Sequence, residues 1–461
     1  MQQNQRMSIA VRSSSGVWGS RTTFVLALTA SAIGLGNLWR FSYLLGEQGG
    51  APFLIAYLLC LFFVAVPVLV AEVLIGSHGR SNPVSALLYT SARSDITRAW
   101  LVIAWIASIA SAIILAYYSV VAGWGLAYIG KMQSGVFSDA SAAEVGRVFT
   151  TMLADPQQLL QSQTVFIVLT FTISALGIFR GLAVLFWFSI PLFLVALGVL
   201  VEYSLLNGDV TQAGEFLFSV NTYDFTAESV LLAMGQAFYT LSIGVGIGMA
   251  FGAYAPDKIP LGRTVLAVAL FDTMVALAAG LVIFPIIFAA NVEPAMGPGL
   301  MFVGLPYAFG NMVEGELFGA IFFITITVVA LSSAVALAEP VMSYLVERMR
   351  LRRPVAALLF GTVTWFVALG CALSFNEWQD VYWYQQMTLF QLLERVSTVI
   401  LLPTAALLTA LLVGYCIRRE ILRVELYRES RLFIFLWRFC LRYIAPPAIV
   451  IVMASALLEK F

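Results

Sequence analysis

Thr29-Ala30-Ser31-Ala32-Ile33-Gly34-Leu35-Gly36-Asn37-Leu38-Trp39-Arg40 lies inside the first long apolar segment, which runs from near Arg21 to near Gly46. Two glycines in three residues, then Asn37 and Arg40, are costly in a membrane helix. Glycine weakens helix continuity by about 1 kcal/mol against alanine. An arginine at mid-membrane costs roughly 2.5–3.5 kcal/mol. A helix broken at bilayer depth persists only where its freed backbone groups are buried in protein or line a wet cavity. Two readings follow from this stretch alone. One is a ligand site built from unwound backbone, with Asn37 as a polar ligand; the other is close helix packing through small residues.

The composition sets the class. The 461 residues are 61% hydrophobic and 11% charged, with a mean hydropathy of +0.93. That excludes a soluble globule and predicts an all-α polytopic membrane protein. Runs long enough to cross a bilayer fall at approximately 21–45, 51–76, 97–130, 163–180, 183–206, 228–254, 261–290, 316–346, 354–375, 392–417 and 434–458, about eleven spans. Arginines and Lys258 cluster before the first span and in every second loop; the alternate loops carry acids such as Asp139, Glu144, Asp209, Glu293 and Glu377. The positive-inside rule then puts the N-terminus in the cytoplasm and, with an odd number of spans, the C-terminus outside.

Other features narrow the reading. The four cysteines lack metal-ligand spacing and read as small core residues. The polar start leads into a segment too long for the apolar region of a signal peptide. No Asn-x-Ser/Thr acceptor occurs, which favours a bacterial inner membrane. The only histidine, His78, sits at the edge of the second span, and no nucleophile–base pair or metal cluster points to an enzyme. The balanced charge gives no sign of a nucleic-acid partner; the lipid bilayer is the partner that the composition names. Segment 291–315 mixes Pro294, Gly297, Pro298, Gly299 and Pro306 with an apolar run, as in a loop that tucks back over a vestibule. Segment 418–431 reads as a helix at the inner surface with a solvated face.

The sixth span carries a companion interruption, Gly235-Gln-Ala-Phe-Tyr-Thr-Leu-Ser-Ile-Gly-Val-Gly-Ile-Gly248. Breaks in spans one and six, five spans apart, are what a 5+5 inverted repeat produces, and such a pair points to a substrate site at the midplane. The repeats would cover 21–206 and 228–417, leaving 418–461 for the inner-surface helix and an eleventh span. Buried polar residues support a transporter: Glu72, Asp272, Ser332, Ser333 and Glu394 all fall within or at the edge of spans. Such residues face a bundle interior or cavity. Glu72 also reads as a brace for unwound backbone, and the two serines could bond back to their own helix. Asp272 needs a cation, a proton or an arginine.

Taken together, Ala32-Ile-Gly-Leu-Gly-Asn-Leu-Trp-Arg-Phe41, Gly49-Gly-Ala-Pro-Phe53, Pro67 with Glu72, Tyr117-Tyr118, Gly235-Gln236 with Thr240-Leu-Ser242, Gly297-Pro-Gly299, Ser332-Ser333 and Glu339-Pro340 resemble the neurotransmitter:sodium symporter family over nearly the whole chain. The resemblance implies the LeuT-type fold with discontinuous helices 1 and 6, and sodium-coupled import of an amino acid. Carried over, the substrate carboxylate meets the Leu35 and Gly36 amides and the Tyr118 hydroxyl. The ammonium meets carbonyls of Ala32, Tyr239 and Thr240 and the Ser242 hydroxyl. Ile114, Tyr118, Tyr239, Val245, Ser333 and Leu337 line a pocket suited to a neutral, hydrophobic or aromatic side chain. Gly34 stands where monoamine carriers place aspartate, so the substrate brings its own carboxylate.

By the same resemblance, one sodium is held by Ala32, Asn37, Thr240, Asp272 and the substrate, and a second by Ala30, Ile33, Val329, Ser332 and Ser333. No organic cofactor is implied. Arg40 and Glu394 form the outer gate under Tyr118 and Tyr239; Trp18, Tyr254 and Glu347 form the inner gate. Gly181 and Pro191 match the spacing of a motif for local unwinding in the fifth helix. The chain departs from the family at Tyr239, where phenylalanine is usual, and at Ser15, where an arginine is usual, leaving Arg12 to reach Glu347. Asp272 replaces an asparagine, and Ala276 a serine of chloride-dependent relatives. The substitution predicts chloride independence. A proton-coupled carrier on the same fold and a non-transporting amino-acid sensor are the alternative readings; the oligomeric state is not legible.

Overall fold

A computed structural model describes residues 16–458 apart from 39, 222 and 295–298. Arg6, Arg12, Ser15 and the Gly297-Pro298 pair therefore lie outside the described residues. Among the described residues, nine continuous helices are long and apolar enough to cross a membrane: Ala51–Gly79, Arg98–Gln133, Pro156–Ala175, Ile178–Asn207, Leu261–Ala289, Gly315–Glu347, Arg353–Leu373, Leu389–Cys416 and Arg431–Leu458. These are spans 2–5 and 7–11. Span 1 is a bent pair, 1a (Arg21–Ala32) and 1b (Leu35–Glu47), meeting at 67°. Span 6 is split into 6a (Ala227–Thr240) and 6b (Ile247–Ala253). Counting the two broken spans gives the eleven that hydropathy predicts.

Local chemistry sets the boundaries. Pro156 opens span 4 behind Asp155, whose carboxylate accepts the Gln157 and Gln158 amides, satisfying two of the orphan donors of a helix start. Spans 4 and 5 turn at Leu176-Gly177, earlier than the boundary between 163–180 and 183–206 that hydropathy predicts. The reason is Gly177, whose φ of 84° supplies the left-handed residue a sharp reversal needs. The Phe179-Arg180-Gly181 run winds as a wide first turn of span 5, Ile178–Leu182. Within segment 291–315, Leu300–Gly310 is helical, with Met301, Phe302 and Leu305 buried. Tyr128 of span 3 donates to the Phe302 carbonyl at 2.8 Å.

Small residues allow the closest approaches, as in other membrane bundles. A β-carbon on Gly76 of span 2 would overlap the Met249 carbonyl of 6b, and one on Gly252 would overlap the Val73 carbonyl. Spans 3 and 8 are tied by the Ser111 hydroxyl, which donates to the Leu337 carbonyl at 2.6 Å. Spans 4 and 9 are tied by the Trp365 indole on Thr164 at 2.9 Å. The outward faces of spans 5 and 9 are apolar and exposed, with Phe188 at 72% and Leu358 at 71%, as a lipid-facing surface requires. The near side, where the described chain begins, carries helices Pro83–Ser94 and Arg419–Glu425; the far side carries Ala142–Ala154, Val210–Phe218 and Leu300–Gly310.

Candidate functional site

Both interruptions fall at the centre of the bundle. Span 1a stops after Ala32 because Ile33 leaves helical geometry (φ −69°, ψ 117°), and the helix restarts at Leu35. In span 6 the chain runs through Ser242, Gly244 and Gly246, all at positive φ (50°, 79° and 75°). Glycine takes that geometry freely, and a β-carbon on Gly244 would overlap the Leu402 backbone. Ser242 is the strained member; its hydroxyl donates to the Ser31 carbonyl at 2.9 Å and pins one break to the other. Glu72, fully buried, accepts the Gly244 amide at 2.8 Å, so a carboxylate of span 2 satisfies a donor freed by the unwinding.

Three side chains converge between the breaks. Asn37 donates to Asp272 at 2.6 Å and to the Thr240 hydroxyl at 3.1 Å, and Thr240 donates to the other Asp272 oxygen at 2.6 Å. The three are 0–1% exposed. Among the described residues no lysine, arginine or histidine pairs with Asp272. The donors are neutral, so balancing this buried carboxylate falls to a cation or a proton. Every available ligand atom is oxygen, which suits a hard ion.

A second cluster joins span 1a to span 8. The Ser333 hydroxyl lies 2.7 Å from the Ile33 carbonyl and 3.2 Å from those of Ala30 and Val329. Ser332 does not join it; its hydroxyl bonds back to the Val328 carbonyl at 3.1 Å, the local bond a helical serine can always make.

Above the first break the Tyr118 hydroxyl is buried and unpaired, facing Ser333 and the Leu35 amide. A β-carbon on Gly34 would lie 3.5 Å from Ser333 Oγ and 3.8 Å from that hydroxyl. A buried orphan hydroxyl beside a restarting helix is what an incoming carboxylate would satisfy. Ile114, Val245 and Leu337 are buried. Tyr239 lies over Gly36, and the Arg40 guanidinium sits 5.6 Å from the centre of its ring. Among the ion pairs of the described residues none joins Arg40 to Glu394, the pair expected at the outer gate. A Gly36→Ala variant would place a methyl inside the Tyr239 ring. It is expected to displace that ring and, on the function proposed below, to weaken amino-acid binding by roughly 5- to 150-fold, the overpacking cost, measured by equilibrium binding.

On the near side, Trp18 donates its amide to the Tyr254 carbonyl at 2.8 Å and its indole N–H to the Phe251 carbonyl at 3.2 Å. Tyr254 donates to Glu339 at 2.8 Å, and Glu339, 0% exposed, is paired with Arg353 at 2.5 Å. Arg353 also donates to the Ser174 carbonyl, linking spans 4, 6b, 8 and 9. Glu347 instead accepts Ser81 Oγ and the Asn82 amide. In the sequence Glu339 stands out only as part of the Glu339-Pro340 motif, and Arg353 carries no site signal of its own. The signal lies in the pair: a glutamate within a span whose partner is the last arginine of the next short loop. Gln236, one turn before Thr240, was likewise unassigned; it is fully buried and neither amide atom is paired. Gly181 packs against the Ile173 carbonyl in the wide turn of span 5, ten residues before the helix-interior Pro191.

The family model described as the sodium:neurotransmitter symporter family matches residues 15–140 and 145–460. An uncharacterized sodium-dependent transporter of Bacillus subtilis, YhdH, is 32% identical over 438 residues, covering 94% of this chain and 96% of its own. A sodium- and chloride-dependent betaine transporter of Caenorhabditis elegans is 23% identical over 382 residues, 70% of this chain and 62% of its own. Among solved structures, MhsT in complex with L-phenylalanine superposes with a TM-score of 0.86 and 34% identity, covering 96% of this chain and 100% of that one.

Proposed function

Because the chain belongs to the sodium:neurotransmitter symporter family, we propose that it imports a neutral, hydrophobic or aromatic amino acid with sodium and without chloride. The family makes it a sodium-dependent multi-pass transporter and not an enzyme. The observation that carries the finer reading is Asp272, buried without a cationic partner and hydrogen-bonded to Asn37 and Thr240 at the junction of the two breaks. One sodium balances that charge, with the Ala32 carbonyl and the substrate carboxylate completing its shell. The Ala30, Ile33 and Val329 carbonyls with Ser333 offer a second sodium position between spans 1a and 8. Ser332 joins it by a rotamer change.

The amino acid places its carboxylate at Tyr118, Leu35 and Gly36 and its ammonium at carbonyls of the two breaks and Ser242. Its side chain lies among Ile114, Val245 and Leu337. The relative solved with L-phenylalanine supports this choice of substrate class. Substrate and Asp272 share a sodium, so each strengthens the other's binding, by typically 1–3 kcal/mol in coupled systems. Ligand release on the inside follows when spans 1, 2, 6 and 7 rock against the rest, with the Gly181–Pro191 stretch of span 5 unwinding to admit water. The repeats 21–206 and 228–417 would supply the two bodies. The arginine-rich near side is assigned to the cytoplasm of a bacterial inner membrane, with the C-terminus outside.

Uptake into proteoliposomes tests the reading. An inward sodium gradient should drive accumulation of one or a few neutral amino acids, unchanged when gluconate replaces chloride, because Asp272 already supplies the fixed negative charge. A strict chloride requirement contradicts that role for Asp272. Uptake driven by a pH gradient without sodium would favour the proton-coupled alternative.

A further inference from the structure

The connection between spans 10 and 11 does more than cross a loop. Glu425 ends the helix Arg419–Glu425 with its side chain only 16% exposed. It accepts the Ser77 hydroxyl at 2.8 Å and pairs with His78 Nδ1 at 3.2 Å, both in the last turn of span 2. Four residues later Glu429, with its side chain 2% exposed, accepts the Arg263 backbone amide at 3.1 Å and pairs with its guanidinium at 3.3 Å. Arg263 opens span 7, and its Nη2 donates to the Arg428 carbonyl at 2.8 Å. Further on, Phe433 leaves no room for a β-carbon on Gly262, and the Trp437 indole donates to the Pro67 carbonyl of span 2 at 3.0 Å.

A surface helix that merely needed solubility would leave its acids in water. Here two carboxylates are withdrawn from solvent, and each holds the near-side end of a different span of the group that is proposed to move. Among the described residues, neither span 1a nor 6b makes a hydrogen bond to this segment. Spans 2 and 7 are therefore joined to each other through 425–437, while the broken helices are left free of it.

We propose that Glu425 and Glu429 form a clasp that makes spans 2 and 7 a single lever and sets the pivot about which the bundle rocks. The proposal rests on the alternating-access reading above. Both glutamates are positioning residues that touch neither substrate nor sodium, so loosening the clasp changes how fast the bundle reorients rather than how tightly the midplane site binds. In kinetic terms it moves maximal rate and leaves half-saturation in place.

The test compares the wild type with full-length Glu425→Gln, Glu429→Gln and the double variant in lipid. Hydrogen–deuterium exchange is read at the near-side ends of spans 2 and 7 and at spans 1a and 6b; uptake is read across amino-acid concentrations. The double variant should exchange roughly tenfold faster at the ends of spans 2 and 7, the loss of charged hydrogen bonds, and stay unchanged at 1a and 6b in sodium. Maximal uptake should change several-fold with half-saturation held within about twofold. Unchanged exchange in the double variant overturns the clasp. So does a rise in half-saturation that tracks a fall in melting temperature, which would mark a role in folding. Absence of sodium-driven uptake in the wild type would instead sink the symport reading, and the exchange arm would still judge the clasp.

Discussion

Replacing Asp272 with alanine is expected to abolish sodium-dependent amino-acid binding by the purified protein, a loss of more than about a hundredfold in apparent affinity at fixed sodium, since coupling of up to about 3 kcal/mol goes with the shared ion. The carboxylate is fully buried, accepts from Asn37 and Thr240, and has no cationic side chain paired with it among the described residues. Removing it deletes the carboxylate proposed to meet the ion and leaves the Asn37 and Thr240 donors without their acceptor. Asp272→Asn keeps the shape and one oxygen but loses the charge, so its loss should be smaller. Binding in a sodium titration checks both: the alanine variant should show no sodium dependence, and the asparagine variant a curve shifted to higher sodium. Equal behaviour of wild type and Asp272→Ala would remove this residue from the mechanism.

A comparably large effect is expected at the near side. Glu339 and Arg353 are a buried ion pair, at 0% and 12% side-chain exposure, and Tyr254 adds its hydroxyl to the same carboxylate. Breaking such a pair from one side costs roughly 3–5 kcal/mol, because the remaining charge stays buried without a partner. Glu339→Gln should therefore lower the melting temperature and leave the near side more open, seen as faster amide exchange in 6b and at Trp18. The cost arises from the orphaned arginine, so the double variant Glu339→Gln with Arg353→Gln should recover a large part of the lost stability. If the double variant is as unstable as the sum of the singles, the pair is not the source of the effect.

Much of this could be read from the chain because a bilayer leaves few options. A broken helix, an intramembrane carboxylate and a glycine with no room for a β-carbon each violate a rule of lipid-embedded structure, so each marks a site. Gly36, Asn37 and Asp272 fall in that group, and the structure brings Asn37 of the first break directly onto Asp272. The sequence was less informative where the contact depends on a rotamer. Ser332 and Ser333 are chemically identical neighbours; which one turns toward span 1a depends on a 100° step around span 8, and only Ser333 does so here. Arg40 and Glu394 carry complementary charges, yet their separation depends on how spans 1b and 10 lean, which no spacing encodes. Segment 418–431 reads as one helix, but only Arg419–Glu425 is helical and the chain turns before the next helix starts at Arg431. Glu425 and Glu429 look like any solvated acid until spans 2 and 7, more than 160 residues away, are packed against them. Glu339 and Arg353 illustrate the same limit in reverse: both were visible, but nothing in the spacing says that the short loop folds the arginine back into the bundle.

The central claim is that sodium and an amino acid bind together at the two breaks. The most direct measurement is equilibrium binding of a panel of amino acids to the purified protein, in sodium and in potassium. Saturable binding of one or a few neutral, hydrophobic or aromatic amino acids is expected in sodium and none in potassium. Equal binding in both salts, or no binding of any amino acid, would contradict it.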